Sequence, residues 1–210
     1  MYVGRIVAIA RSVSGANAVL YRVSSRSFPN RAAVERNGRI AIVPRAGHEA
    51  DLLASPYISY TCLRVAGDWA VATNGHHTDP IAEKLGDGMP IRDALAGTLL
   101  ALDYERDELR TPRIAAAVPL RGERGWLAIV RHDGLEVKEL ELSAGCAVYL
   151  ATYGANEIRE DRRVPFDAKD APAAAHVAVD GAGFAELEKP VTSAAALAVG
   201  GRFTLATHVV

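Results

Sequence analysis

Short apolar runs separated by turn-forming residues dominate the first third of the chain, and this pattern is typical of β-strands. The runs predict strands over residues 2–10, 18–23, 39–44, 61–65 and 69–73. The segments SGAN at 14–17 and AGD at 66–68 would form hairpin turns. Because residues 40–43 are apolar without interruption, that strand is expected to be buried on both faces. The first third is therefore predicted to be mostly antiparallel sheet.

The pattern changes to helical spacing after the segment NGHHTDP at residues 74–80. Thr78 or Asp79 can cap a helix whose first turn contains Pro80. A second helix is predicted over residues 90–107, with a stripe at intervals of four and three residues formed by Ile91, Leu95, Thr98, Leu102 and Glu105. The stripe places a carboxylate where an apolar side chain is expected.

Two interpretations of Glu105 follow from this pattern. A carboxyl group aimed into a core or a cleft is costly unless it is paired or protonated, so its pKa would be displaced and a functional role would be indicated. Alternatively, the helix ends by Asp103, and Glu105 turns into solvent with Asp107 and Glu108. The pattern by itself leaves both interpretations open.

The rest of the chain returns to strand-like runs over residues 114–118, 125–131, 135–142, 147–153 and 203–209. Residues 156–169 are charged and predict a mobile connection. Residues 171–187 are rich in alanine but interrupted by glycine, and residues 191–199 predict one or two further turns of helix. Two packed antiparallel sheets with helices on the outside, an α+β fold, fit this order of elements. Since no repeat or linker divides the chain, we expect a single domain over residues 1–210.

Composition limits the classes of function. Of the 210 residues, 50% are hydrophobic, which is enough for a sizeable core, and the formal net charge is −1. No nucleic acid or membrane partner is expected, because such partners favour a basic surface or a long apolar run, so any anion site must be local. Cys62 and Cys146 are the only cysteines and lack metal-binding spacing. The lack of such spacing predicts no metal site. We also expect no signal peptide and a cytoplasmic protein.

The run YRVSSRSFPNR at residues 21–31 is the strongest candidate for such an anion site. Arg22, Ser24 and Arg26 alternate, so in an extended chain they would project from one face. Two guanidinium groups with a hydroxyl between them suit the oxygens of a phosphate monoester, and Arg31 would close the site from beyond the following turn. The alternative is a solvated, arginine-rich loop whose serines bond to their own backbone.

This run occurs together with PYISYTC at residues 56–62, ATNGHHTDPIAEKL at 72–85 and LLALDYERDELRTPRIAAA at 99–117. The four blocks resemble the archaeal-type IMP cyclohydrolases. The similarity covers most of the first 120 residues and continues more loosely to the end, including KPVTSAAA at 189–196. Four ordered blocks at matching spacing make this a specific signal.

The resemblance implies the four-layer αββα arrangement of the N-terminal nucleophile hydrolases. It also implies ring closure of 5-formamidoimidazole-4-carboxamide ribonucleotide (FAICAR) to IMP with loss of water, the last step of purine biosynthesis. This chemistry needs an acid, a base and positioning groups, without metal, folate or any other cofactor. The implied partner is a small-molecule nucleotide, and a homo-oligomer is left open.

The resemblance also assigns roles within the matching blocks. Tyr60 and Glu105 are expected to transfer protons, with Arg113 pairing with Glu105 or with the substrate. The substrate- and phosphate-binding residues are expected to be Arg22, Ser24, Arg26, Asn30, Arg31, Asn74 and His76. Since a spacing of three in a strand places Tyr57 and Tyr60 on opposite faces, only one should reach the site, and we favour Tyr60. Without the resemblance, the tyrosines are simply packed aromatics, and His76 and His77 are loop histidines.

Two other functions remain open at this stage. An amidohydrolase of the same fold would need a nucleophile at residue 1, whereas the sequence begins with Met1 and Tyr2, so self-cleavage before Cys146 would have to create one. A noncatalytic purine-nucleotide-binding protein would bind IMP and have no catalytic use for Glu105.

Overall fold

The structure is a computed structural model that describes the backbone of residues 1–210 and every side chain except that of residue 56. The strands are β1 Arg5–Arg11, β2 Asn17–Ser24, β3 Arg31–Arg36, β4 Arg39–Pro44, β5 Tyr60–Ala66, β6 Trp69–Thr73, β7 Arg113–Pro119, β8 Arg124–Arg131, β9 Gly134–Glu141, β10 Cys146–Ala151, β11 Arg163–Pro165, β12 Pro190–Val199 and β13 Arg202–Val209. The helices are α1 Asp51–Ala54, α2 Thr78–Gly86, α3 Ile91–Leu102 and α4 Ala171–Asp180, with a 3₁₀ turn at Pro56–Ile58.

The strands form two antiparallel sheets. Sheet A has six strands in the order β11-β10-β1-β2-β12-β13, and sheet B has seven in the order β3-β4-β5-β6-β7-β8-β9. Sheet B is a meander, because strands that are neighbours in space are also neighbours in sequence. Sheet A instead joins distant parts of the chain, since β1 pairs with β10 and β2 pairs with β12. The predicted α+β class with two antiparallel sheets is confirmed.

The main hydrophobic cluster contains alternate residues from the strands of both sheets, because alternate side chains of a strand point to the same side. In β2, Val19, Tyr21 and Val23 belong to this cluster, as does Tyr60 of β5. The intervening Leu20 belongs to a second cluster, which sheet A shares with α4. β2 therefore supplies side chains to two different cores.

Helices pack against the other side of each sheet. The small residues Ala174 and Ala175 of α4 are fully buried and let this helix approach sheet A closely. Asp170 caps α4 by accepting a hydrogen bond of 2.8 Å from the backbone N–H of Ala173. On sheet B, α2 and α3 contribute Ile81 and Leu95 to a third cluster. In the described chain, we find no helix with the length and apolar character that crossing a membrane requires.

Residues 190–199 differ most from the sequence prediction, which was wrong here. They form β12, which pairs with β2 on one side and with β13 on the other, and not a helix. Alanine has the highest intrinsic helix propensity, but this preference is small, and hydrogen bonds to two neighbouring strands outweigh it here.

Two short strands and one burial pattern also differ from the prediction. β3 and β11 were not anticipated, and β11 lies inside the segment expected to be a mobile connection. In β4, Ile40 and Ile42 are fully buried, whereas Ala41 and Val43 are partly exposed. This strand is buried on one face only, because α2 packs over β5 and β6 instead.

Arg22 lies under α4, with only 1% of its surface exposed. Its Nη1 donates to the carbonyl of Phe184 at 2.7 Å and its Nη2 to that of Leu187 at 2.5 Å, while its Nε donates to Ser24 Oγ at 3.0 Å. Burial lowers the pKa of Arg22 to about 10. The Arg22 guanidinium thus satisfies carbonyls of the chain that follows α4, a role in folding that the sequence did not indicate.

We expect Arg22→Ala to destabilise the protein by about 3 kcal/mol, because buried carbonyls would lose their donors. The free energy of unfolding from urea titration measures this loss. Arg92→Ala is the matched control, since Arg92 is 72% exposed and pairs only with its neighbour Asp93 among the described residues. Equal stability of the two variants would contradict this role for Arg22.

Candidate active site

A cleft of about 150 Å³ opens where β1 and β3 begin and β2 ends. Arginines, serines, tyrosines and two carboxylates make its wall strongly polar. The lining residues are Tyr2, Arg5, Ser25, Ser27, Phe28, Arg31, Ser55, Tyr57, Ile58, Glu105, Asp107, Leu109 and Tyr153. The cleft therefore offers positive charge, hydroxyl donors and aromatic surface to the same ligand.

Glu105 reaches this cleft from a loop. α3 ends at Leu102 because Asp103 has a φ of 57°, a left-handed conformation that a helix does not accommodate. The Asp107 carboxylate accepts hydrogen bonds from the N–H and the hydroxyl of Thr111, at 2.8 and 2.6 Å, and so closes the loop. The Glu105 N–H donates to the Thr111 carbonyl at 2.9 Å, and only 2% of the Glu105 side chain is exposed. Glu105 is therefore buried at a cleft, as the first interpretation expected, and not in solvent, although the helix ends at Leu102 and does not continue to residue 107.

Two arginines flank the Glu105 carboxylate. Arg5 Nη2 lies 3.2 Å from Oε2, and Arg113 Nη1 lies 3.7 Å from Oε1. The Arg113 Nε donates to the Asp103 carbonyl at 2.8 Å, which holds its guanidinium in place. Burial raises the pKa of Glu105, and Arg5 and Arg113 act in the opposite direction. Such a carboxyl group can exchange a proton closer to neutral pH than an exposed glutamate does.

Tyr60 lies beside the cleft and shares a hydrogen bond with Tyr21. The two hydroxyl oxygens are 2.5 Å apart, and 5% of Tyr60 is exposed. Burial raises the pKa of Tyr60, although the charges of Arg31 and Arg5 pull it down. Burial also raises the pKa of Tyr21 well above its ordinary value. Both phenols therefore keep their protons at neutral pH, and this pair can donate a hydrogen bond.

Of the two tyrosines, Tyr57 lines the cleft and Tyr60 does not, so only one reaches the lining, as expected, but it is not the one we favoured. Tyr57 lies in the 3₁₀ turn before β5 and not in the strand, so the rule of alternating faces does not apply to it. Its side chain lines the cleft directly.

The arginine- and serine-rich run divides between the α4 side of sheet A and the cleft. Arg31 is 3% exposed, lines the cleft and donates from Nε to the Phe28 carbonyl at 3.0 Å. Burial lowers the pKa of Arg31. Arg26 lies at the rim, where its guanidinium carbon is 4.4 Å from the centre of the Tyr2 ring, and it lines an adjoining hollow. Arg31 is thus the member of this run that brings positive charge to the cleft, whereas Arg26 at the rim pairs with Glu188 at 3.0 Å.

Three other predicted members of the phosphate site are not brought to the cleft lining. Arg22 and Ser24 do share a face, as their alternation predicted, but that face lies under α4. Asn30 is partly exposed, and its carbonyl accepts the N–H of Arg45 at 2.9 Å. Ser25 and Ser27 line the cleft instead.

Asn74 supports the site from behind. Its fully buried side chain donates to the Pro112 carbonyl at 2.9 Å and accepts from the Ile114 N–H at 2.8 Å, so it clamps the backbone on both sides of Arg113. His76 is exposed, with its ring 6.3 Å from that of Tyr60. The structure therefore places Asn74 as a support for Arg113 and His76 beside Tyr60.

Gly75 allows this turn to approach the ion pair. A Cβ at this position would lie 2.8 Å from Arg113 Nη1 and 3.5 Å from Glu105 Oε1. The neighbouring His77 is fully buried, and its Nε2 lies 3.0 Å from the Ile114 carbonyl. Burial lowers the pKa of His77 to about 3, so the ring is neutral and donates from Nε2.

Several cleft residues were not identified from the sequence. Arg5, Tyr2 and Tyr153 lie outside the four blocks used for the resemblance, and Tyr21 was treated only as part of a strand. The sequence held one signal for Arg5 and Tyr21. Each belongs to an apolar strand, where burying a charge or a phenol is costly unless the group is paired. The two positions considered for an amidohydrolase nucleophile, Met1 and Cys146, do not line the cleft in the described structure.

Fold and cleft together define a class of protein. It is an α+β protein whose polar cleft is lined by a buried carboxyl group and by arginines, with a tyrosine pair beside it. These groups suit proton transfer on a small anionic molecule. Comparisons with known proteins identify the family within this class.

The model of the IMP cyclohydrolase-like protein family matches residues 2–202. The IMP cyclohydrolase of Methanosphaera stadtmanae is 46% identical over 196 residues, covering 93% of this chain and 94% of that protein. That of Methanococcus maripaludis is 43% identical over 208 residues, covering 99% and 100%. That of Methanocella arvoryzae is 46% identical over 209 residues, covering 99% and 98%. The chain belongs to the IMP cyclohydrolase-like family, and the predicted resemblance is confirmed.

The neutral, buried state of His77 gives a testable pH dependence. As the pH falls from about 6.5 toward 3, the unfolded chain takes up a proton on this histidine and the folded protein does not, so stability is lost. Between pH 6.5 and 5, the loss from this group should be about 2 kcal/mol. Unfolding titrations of His77→Gln should show a shallower decrease over this range, whereas the exposed His48→Gln should keep the wild-type slope. Identical slopes in all three proteins would contradict this assignment.

Proposed function

We propose that this chain is an IMP cyclohydrolase that converts FAICAR to IMP with loss of water. The observation that carries the proposal is the Glu105 carboxyl group, buried between Arg5 and Arg113 beside the Tyr60–Tyr21 pair. The relatives named IMP cyclohydrolase, which match nearly the whole chain, supply the identity of the reaction.

The reaction makes three demands on the protein. The carboxamide nitrogen of FAICAR attacks the carbon of the neighbouring formyl group, and the formyl oxygen becomes an alkoxide. That oxygen must be protonated, and the attacking nitrogen must lose one of its two protons. The hydroxyl group must then leave as water while the former formamide nitrogen loses its proton, which forms the C–N double bond of the new ring. The site therefore has to hold the two substituents together, donate to the alkoxide and move protons.

Glu105 is the proposed proton carrier. Its ionised form accepts a proton from the carboxamide nitrogen, and its protonated form returns that proton to the departing hydroxyl group. Burial supports this role because it raises the pKa of Glu105 and makes both forms accessible. Arg5 and Arg113 hold the carboxyl group in one orientation and stabilise its ionised form.

Tyr60 is the proposed donor to the alkoxide, and its phenolate then takes the proton that the formamide nitrogen gives up. Its raised pKa keeps the phenol protonated, and the neighbouring Tyr21 fixes the direction of its hydroxyl group. The positive charges of Arg5 and Arg31, which act on the Tyr60 hydroxyl, would also stabilise negative charge that develops on the formyl oxygen.

The remaining cleft residues suit the rest of the nucleotide. We assign Arg31, with Ser25 and Ser27, to the phosphate group, and Arg26 to its outer oxygens at the rim. The aromatic surfaces of Tyr2, Tyr57 and Tyr153 suit the ribose and the imidazole ring. Among the residues expected from the sequence, Arg22, Ser24 and Asn30 are not part of this proposal. His76 remains a proposed substrate contact, and Asn74 is proposed to position Arg113.

The wider organisation is proposed on the same basis. In this proposal, residues 1–210 form one domain. The helices outside each sheet favour the four-layer αββα order of the N-terminal nucleophile hydrolases. In this proposal the ring closure uses no N-terminal nucleophile, metal or other cofactor. The partner is the nucleotide, with no role for nucleic acid. A homo-oligomer and a cytoplasmic location are compatible with this function.

The direct test mixes the purified protein with FAICAR in the absence of metal, ATP and folate. The rate of IMP formation should exceed the spontaneous rate and rise in proportion to the protein concentration. IMP that binds but forms no faster than in the blank would contradict catalysis and favour a noncatalytic nucleotide-binding protein.

Glu105→Gln and Tyr60→Phe should each lower kcat by about a hundredfold or more, because each removes a proton donor or acceptor and keeps the shape. Glu108→Gln at an exposed position and Tyr104→Phe at a partly exposed position of the same loop are matched controls and should retain normal turnover. Near-normal rates in both active-site variants would refute these roles.

The pH profile separates the two roles. Wild-type kcat/KM should fall on the acid side with a pKa above the usual 4.5 of glutamate, because protonated Glu105 accepts no proton. The alkaline decrease should lie above the usual pKa of 10 for tyrosine. Glu105→Gln should lose the acid-side decrease in its residual activity, and persistence of that decrease would assign it to another group.

Arg31→Ala should weaken IMP binding by about tenfold to a hundredfold, because a charged donor to the phosphate is lost. In calorimetric titrations, the wild type and the variant should bind inosine, which lacks the phosphate, with equal affinity. Arg36→Ala, an exposed change at the other end of β3, is the control. An equal loss for IMP and inosine would indicate a general disturbance and remove Arg31 from the phosphate site.

A further inference from the structure

A second cluster of chemically active side chains lies away from the cleft, on the outer side of sheet A. It consists of His176 and Asp180, one turn apart on α4, and His208 on β13. We propose that these three side chains form a binding site for a divalent transition-metal ion, with zinc as the best fit.

The distances among the three side chains support this site. Each residue offers one ligand atom, and these atoms all lie within 4.8 Å of one another. The His176 Nδ1 is 3.3 Å from Asp180 Oδ2, and the rings of His176 and His208 are 5.0 Å apart at 87°. Zinc holds nitrogen and oxygen ligands at about 2.1 Å, so in a tetrahedral site these atoms are roughly 3.4 Å apart. Small side-chain rotations would complete the geometry.

The backbone beneath the cluster is held by buried polar contacts. Ser193 Oγ of β12 donates at 2.6 Å to the carbonyl of Ala175, the residue before His176. Ser193 pairs directly with His208 in the sheet, and the carbonyl of His208 accepts from Thr192 Oγ1 at 2.7 Å. The positions of α4 and β13 relative to each other are therefore fixed through β12. Because the ligands come from two elements held in fixed positions, α4 and β13, the protein needs little rearrangement when a metal binds.

The ligand set fits zinc better than magnesium or calcium. Two imidazole nitrogens and one carboxylate oxygen suit first-row transition metals, whereas magnesium and calcium prefer oxygen ligands. His176 and Asp180 are 59% and 54% exposed, so water can supply the remaining ligand. A bound ion would connect α4 directly to β13 and stabilise the outer helix on sheet A. This site is independent of the proposed catalytic role of the cleft.

Zinc titration of the protein without an affinity tag tests the proposal. Calorimetry at neutral pH should show one zinc ion per chain, with an affinity at least tenfold weaker in His176→Ala and in His208→Ala. His48→Ala, which removes an exposed histidine outside the cluster, should bind zinc as the wild type does. Equal affinity in all four proteins would overturn the proposed site.

Thermal unfolding provides a second measurement that does not depend on activity. Zinc at a hundredfold excess over its dissociation constant should raise the Tm of the wild type by about 5 °C or more, because it binds only the folded cluster. The same addition should leave the Tm of His208→Ala nearly unchanged. A similar rise in both proteins would show that zinc binds elsewhere and would overturn the proposal. IMP formation measured without added metal should be the same in the wild type and in His208→Ala.

Discussion

The burial of Glu105 is the constraint on which the site depends. A carboxylate with 2% exposure must be compensated by nearby positive charge, and Arg5 and Arg113 supply it. Arg5 belongs to sheet A, Arg113 begins β7 of sheet B, and Glu105 comes from the loop after α3. One ion cluster therefore joins both sheets and the helical layer at the mouth of the cleft. Three further features keep these charged side chains in position: the turn at Asp103, the contacts between Asp107 and Thr111, and the clamp formed by Asn74.

Three arginines of this protein have different roles because they lie in different layers of the fold. Arg22 faces α4, where backbone carbonyls occupy its guanidinium, so its positive charge serves folding. Arg5 and Arg31 lie at the cleft, where their charges act on Tyr60 and Glu105. Arg22 and Arg31, close in sequence, thus have different roles, because Arg22 lies in β2 of sheet A beneath α4, whereas Arg31 begins β3 of sheet B at the cleft. A count of positive charge in the segment could not separate these roles.

The outer layer on sheet A depends on polar contacts buried beneath it. Arg22 binds the chain that follows α4, and Ser193 binds the carbonyl of Ala175 within the helix. These contacts fix α4 more firmly than its small alanine side chains could do alone, since alanines bury little surface. The same anchoring places His176 and Asp180 against His208. The outer layer therefore combines a structural role with the geometry of a metal site, separate from the cleft.

The sequence by itself determined the α+β class, most strand positions, and the blocks that contain Tyr60, Glu105 and Arg31. It did so because strand alternation, turn residues and motif spacing are local properties of the chain. Only the tertiary structure decided that residues 190–199 form a central strand, that Arg22 lies under a helix, and that Arg5 pairs with Glu105. Local periodicity shows which residues share a face. It does not show which layer covers that face or which distant charge lies opposite, because those depend on pairing between remote segments of the chain.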